Sequence, residues 1–214
     1  MNKRTIIIWT IITSLLSIVF ILASYYGYIR YFQMRINPSS DYTEKYKYLP
    51  RASKNRTIVS FYTPEKNLDK IKPMINSILD QTVRVDQILL PCSYNIPDYL
   101  RTVVSPCPVM KNYGNGTAFV PVLLKEKNAD TSIIVLKDNV VYGKDYIETL
   151  VTNSEQDSNS VITDQNRDGI LIRPECYDNC SDLMSNSSQN LDKKWLVDNA
   201  KHVAVIEYNE NIRY

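Results

Sequence analysis

The chain has 214 residues, 44% of them apolar, with 25 basic and 23 acidic side chains and a net charge of +2. That balance gives no support for a nucleic-acid-binding surface. A single histidine, His202, and four cysteines without a C-x-x-C pair argue against a His/Cys zinc site.

In chain order, the first signal is an uncharged run. Between Thr5 and Ala23 (TIIIWTIITSLLSIVFILA) no residue carries charge, and the uncharged stretch continues to Ile29. Roughly 20 apolar residues suffice to cross the bilayer core as a helix. A cleaved signal peptide has a shorter apolar region and a small-residue cleavage site. Ser24-Tyr25-Tyr26 is a poor site of that kind, whereas its tyrosines suit the interfacial aromatic belt. Residues 1–30 are therefore read as an uncleaved membrane anchor of a single-pass protein. Lys3 and Arg4 before the span nearly balance Arg30, Arg35, Lys45 and Lys47 after it, with a slight lean toward a cytosolic C-terminal domain. Asn-x-Ser/Thr triplets at Asn55, Asn115, Asn179 and Asn186 suit a lumenal domain instead, so the side of the bilayer is open at this stage. The cysteines do not decide it. Cys176 with Cys180, and Cys92 with Cys107, are candidate bridges in a lumenal domain, and unpaired thiols are the simpler reading.

Residues 31–55 are polar, tyrosine-rich and broken by Pro38 and Pro50, which reads as a stalk or an arm lying along a neighbour. Residues 56–214 form the remaining unit, enough for one core and too few for two. Its first strand is 57–62 (TIVSFY), stopped by Thr63-Pro64. Leu68, Ile71, Ile75, Ile78 and Leu79 recur at helical spacing and predict a helix over 67–80, with Pro73 kinking it or marking a later start. A strand over 85–90, stopped by Pro91, completes a right-handed βαβ unit. Val103 and Val104 suggest a short third strand, limited by Pro106 and Pro108. A helix over 117–127 and a strand over 133–136 follow. This last strand, a β-branched apolar run leading into Lys137-Asp138-Asn139 and then a helix from about Lys144, is the centre of the reading. In open α/β sheets, ligands sit beyond the carboxyl ends of the strands, which is where these three residues fall. Strands over 161–163, 169–173 and 203–206 and a helix over 192–202 complete an α/β domain with a mainly parallel sheet flanked by helices.

At IVSFYTPEKNLDKIKPMINSILDQTVRVDQILL and NYGNGTAFVPVLLKEKNADTSIIVLKDNVVYG the chain resembles nucleotide-sugar glycosyltransferases of the GT-A fold. The likeness is nearest to short membrane-anchored forms found in microbes and large DNA viruses. It is good over 57–151 and thin from 169 to 206. In that family an apolar strand ends in a Thr-Thr-x-Pro-like turn where the nucleotide docks; Tyr62-Thr63-Pro64 keeps part of it. The family's Asp-Tyr-Gly-Pro-x-Thr-Lys motif is matched by Tyr113, Gly114 and Thr117, but Asn112 stands at the acid and Ala118 at the lysine. The resemblance thus implies Thr63, Tyr113, Gly114 and Thr117 as vestigial nucleotide-binding positions. It implies Asp138 and Asn139 as degenerate metal positions, since active members carry Asp-Asp-Asp where this chain has Lys137-Asp138-Asn139. Active members also carry an acid that deprotonates the acceptor hydroxyl. Asp192, followed by Lys193 and Lys194, is the single, vestigial candidate for it, and an acid at a helix N-terminus meeting the macrodipole is the simpler reading.

A hard cation such as Mn²⁺ or Mg²⁺ is held by carboxylate oxygens and neutralises the departing diphosphate. An ammonium at Lys137 opposes such an ion by on the order of 4 kcal/mol at 4 Å near a protein surface. Acids are missing at Asn112 and at Lys137 and Asn139, and the C-terminal stretch keeps a single candidate acid beside two lysines. The expectation is a membrane-tethered, non-catalytic glycosyltransferase-like domain with a structural or interaction role and protein partners in a membrane-bearing assembly, such as a large DNA virus particle or a host internal membrane. No cofactor is expected. The alternatives are an active enzyme moving a hexose from a nucleotide-sugar with Mn or Mg, and a sugar-binding module.

Overall fold

The computed structural model describes residues 2–25, 27–109, 113–176, 193–198 and 200–214. Asn112, Cys180, Asp192 and the sequons at Asn179 and Asn186 lie outside them.

Helix α1 (Lys3–Tyr25) is exposed along its length and is long and apolar enough to cross a membrane. Gly27 then adopts a left-handed φ of 73° and ends the helical path. A Cβ there would come within 2.5 Å of the Ile212 side chain, so both the turn and the close packing call for glycine. Two helices follow, α2 (Tyr28–Ile36) and α3 (Ser39–Tyr46), in the segment read as a stalk. They pack on the domain. Met34 and Tyr42 are buried in its core, Arg30 pairs with Asp80 at 2.8 Å, and Asn76 Nδ2 donates to the Met34 and Asn37 carbonyls. The apolar signal was sparse because polar groups do much of this clamping.

The domain is built on a sheet of seven strands among the described residues, ordered β3-β2-β1-β4-β7-β6-β8. The strands are β1 (Thr57–Phe61), β2 (Gln87–Cys92), β3 (Ser105–Pro108), β4 (Ser132–Leu136), β6 (Val161–Asp164), β7 (Gly169–Ile172) and β8 (Val203–Ile206). Strands β3, β2, β1 and β4 are mutually parallel, β7 runs against both its neighbours, and β6 is parallel to β8. The sheet is thus mostly parallel with one reversal, and β4 lies at its middle. Two-residue strands β5 (Val140–Val141) and β9 (Ile212–Arg213) form a separate antiparallel pair.

Strand alternation divides the core in two. Val59, Phe61, Ile88, Leu90, Ile134 and Leu136 face helices α4 (Lys72–Leu79) and α7 (Tyr146–Gln156). Ile58, Leu89, Ile133, Val135, Ile170 and Ile172 face the layer of α6 (Val120–Lys125) and α8 (Lys193–Asp198). A four-residue helix, α5 (Asp98–Arg101), leads into β3.

The prolines account for the differences from the expected boundaries. Helix α4 starts at Lys72, with Pro73 in its first turn where its missing N–H is tolerated, after a 3-10 turn over Glu65–Lys70. Strand β2 continues through Pro91, which was expected to stop it. The β1 ladder ends at Leu89, so only β3 flanks β2 at Pro91. The third strand lies at Ser105–Pro108 rather than at Val103 and Val104, because an edge strand accommodates proline. The helix expected over 117–127 divides into a 3-10 turn (Gly114–Ala118) and α6.

Candidate functional site

Strands β1 and β4 are paired to their ends, Phe61 opposite Leu136, so the loops that follow them emerge side by side. One holds Thr63 and the other Lys137, Asp138 and Asn139. Thr63 is buried, its carbonyl accepts the Tyr94 hydroxyl, and its own hydroxyl has no hydrogen-bond partner. Burial beside Cys92, Tyr62, Glu65 and Asp138 raises the Tyr94 hydroxyl well above the ordinary tyrosine range, so it serves as a donor. The Gly114–Ala118 turn is fastened to β1 by Ser60 Oγ, which donates to the Ala118 carbonyl at 2.5 Å. Within it, Gly114 is left-handed (φ 58°), and the buried Thr117 hydroxyl accepts the Tyr113 N–H at 3.2 Å. The fold therefore gathers Thr63, Thr117, Asp138 and their neighbours toward the carboxyl ends of the central strands β1 and β4.

The loop after β4 is occupied by its own chain. Lys137 Nζ donates to Asp168 Oδ1 at 2.9 Å and to the Asn166 carbonyl at 3.2 Å. Arg213, on β9, donates to the same Asp168 oxygen from Nε at 3.0 Å and from its guanidinium terminus at 2.8 Å. The Asp168 side chain is 2% exposed, against 33% for Lys137 and 51% for Arg213. Beyond Arg213, the Tyr214 N–H donates to the Asn139 carbonyl and its hydroxyl donates to the Asp138 carbonyl, each at 3.1 Å. The same hydroxyl reaches the Lys70 carbonyl at 3.2 Å.

Beneath this loop lies a layer of tyrosines. The Tyr142 hydroxyl accepts the Lys137 N–H at 2.7 Å and donates to the Lys137 and Asp168 carbonyls. Its ring stacks on Tyr146, and Tyr146 meets Tyr208 edge to face. The Tyr146 hydroxyl donates to the buried carboxylate of Asp164. Asp164 also accepts the N–H groups of Asn166, Asp168 and Gly169, closing the turn from β6 to β7, in which Arg167 is left-handed (φ 53°). Burial and the neighbouring carboxylates hold Tyr142 and Tyr146 protonated well above the usual range. Gly169 permits this packing, since a Cβ there would lie 2.5 Å from the Tyr146 hydroxyl.

The donor set does not fit a hard divalent cation. Two cationic side chains already share Asp168, Asn139 has no charge, and the remaining acid on the loop is Asp138. No group of three His, Cys, Asp or Glu side chains converges among the described residues. Cys92, Cys107 and Cys176 are buried free thiols, so Cys92 and Cys107 are not bridged.

Asp164, Asp168, Arg213 and Tyr214 did not emerge from the sequence reading. A signal was present: Asp164-x-Asn166-x-Asp168-Gly169, with Glu175 six residues on, has the spacing of a calcium-binding loop. Here Asp164 is spent on loop N–H groups and Asp168 on two cations, and Glu175 lies beyond the far end of β7. No protein-family model matches the chain, and no curated protein matches it.

Proposed function

We propose that the chain is a membrane-tethered, GT-A-like domain that no longer transfers sugar and serves a structural or interaction role in a membrane-bearing assembly, such as the particle of a large DNA virus. The observation that carries this reading is the state of the loop after β4. Lys137 and Arg213 converge on Asp168, while Tyr214 is bonded along the Asp138–Asn139 backbone. Where a glycosyltransferase of this type presents carboxylates to a cation, this chain presents an ammonium, an amide and one acid under its own C-terminal segment. A mostly parallel sheet with Thr63, Thr117 and Asp138 toward the carboxyl ends of its central strands supports the kinship, and helix α1 supports the tether.

The second reading, an active hexose transferase, draws on the buried Thr63 hydroxyl, which has no partner beside the candidate nucleotide turn. One experiment separates the two. The full chain in lipid nanodiscs is titrated calorimetrically with UDP- and GDP-sugars in the presence of Mn²⁺, and nucleoside diphosphate release is followed. The proposal expects neither binding heat nor release. Release that Asp138→Ala abolishes overturns it.

A further inference from the structure

Helix α2 has two unlike faces. The inner one is bound to the domain through Arg30 and Met34, the latter 2% exposed. The outer one carries Tyr28, Phe32 and Ile36, which are 55%, 55% and 71% exposed. Their i, i+4, i+8 spacing places them in one stripe. An aligned row of large apolar side chains on the outside of a helix marks a contact surface.

The chain itself points to the occupant. Helix α1 ends at Tyr25 and α2 begins at Tyr28, so the stripe starts where the span leaves the apolar layer, at the depth favoured by aromatic rings. The link is short, and Ile212 packs against Gly27 within it. At the other end of α2, Arg35, Lys70 and Lys72 line a recess of about 380 Å³ with Tyr31, Asp69 and Tyr214. None of these three cations joins an ion pair among the described residues; Arg35 donates to the Tyr31 hydroxyl at 3.0 Å and Lys72 to the Ile36 carbonyl at 3.4 Å. An apolar stripe flanked by cations is the pattern of a helix lying in the interface of an anionic membrane.

We infer that α2 lies in the membrane interface, with Tyr28, Phe32 and Ile36 in the boundary between headgroups and acyl chains, and that Arg35, Lys70 and Lys72 hold the phosphate of an anionic lipid. The inference rests on reading α1 as a membrane span. It fixes an orientation: the α4 side of the sheet faces the bilayer, and the α6 side faces away.

The test uses the full chain in phosphatidylcholine vesicles with a minority of phosphatidylserine. The photoreactive residue p-benzoylphenylalanine replaces Ile12 in the span, Phe32 in the stripe or the exposed Ala129 beyond α6, one at a time. After irradiation, mass spectrometry identifies what is attached. Lipid adducts at positions 12 and 32, with none at 129, are expected. Adducts at 12 without any at 32 overturn the inference and leave the span reading intact. So does a crosslinked protein dimer at 32, which would make a second copy the occupant, or an equal lipid yield at 129. Absence of adducts at 12 defeats the span reading itself. Among adducts at 32, phosphatidylserine is expected above its bulk fraction, roughly five-fold per cation engaged, and Lys70→Gln with Lys72→Gln should remove most of that excess. An unenriched adduct in the unsubstituted chain overturns the headgroup site.

Discussion

On one side of β4 lies β1, parallel over five residue pairs and buried on both faces with apolar side chains predominating. On the other lies β7, antiparallel, reached from β6 through a turn that contains two buried carboxylates. The first flank is stabilised by area removed from water, a property local to each strand. The second depends on Asp164 and Asp168, whose side-chain partners Tyr146, Lys137 and Arg213 are 18, 31 and 45 residues away. One sheet thus combines a flank that periodicity encodes with one that distant polar pairing encodes.

Three measurements break or sharpen that contrast. The largest effect is expected from Ile134→Ala on the apolar flank, about 4 kcal/mol by denaturant unfolding, within the usual range for emptying a buried Ile site. Ile134 is fully buried. A loss under about 1 kcal/mol, far below that range, would mean that the flank is not closely packed. Next comes Asp168→Ala, at about 3 kcal/mol, the lower end for breaking a buried ion pair because its partners remain partly exposed. An effect near zero would place the Lys137–Asp168–Arg213 cluster outside the stability of the fold and erase the contrast.

The smallest effect is an alkaline one. Tyr142 and Tyr146 keep their protons in the fold above the ordinary value of 10, chiefly because they are buried. The unfolded chain releases those protons from about pH 10, so the stabilisation is fully present below that pH and declines above it, by about 1.4 kcal/mol per pH unit for each tyrosine at most. Unfolding midpoints measured from pH 8 to 11 should be level and then fall. Tyr146→Phe should reduce the slope, whereas a slope unchanged in that variant would show that the tyrosine layer does not govern the alkaline limb.

The contrast also explains what could be read in advance. Ile133 to Leu136 and Thr57 to Phe61 declared themselves as buried strands because β-branched apolar runs between polar punctuation have few other uses. The position of Lys137 just beyond the carboxyl end of β4 follows from that. Pro91 reads as a stop in the sequence, yet a strand tolerates proline past the end of the neighbouring ladder. Met34 and Tyr42 were hidden in a polar segment whose burial depends on Asn76, Arg30 and Asp80. Arg213 and Tyr214 could not be placed at all, since nothing near them in sequence indicates that they cover Asp138 and Asn139.

Strand β3 closes one side of the sheet with Pro106 and Pro108 at alternate, exposed positions. Proline offers no amide hydrogen, so a foreign strand approaching this rim meets a broken row of donors. The two rings blunt this rim alone: β8 (Val203–Ile206), at the opposite side of the sheet, carries no proline and leaves Val203 and Val205 exposed.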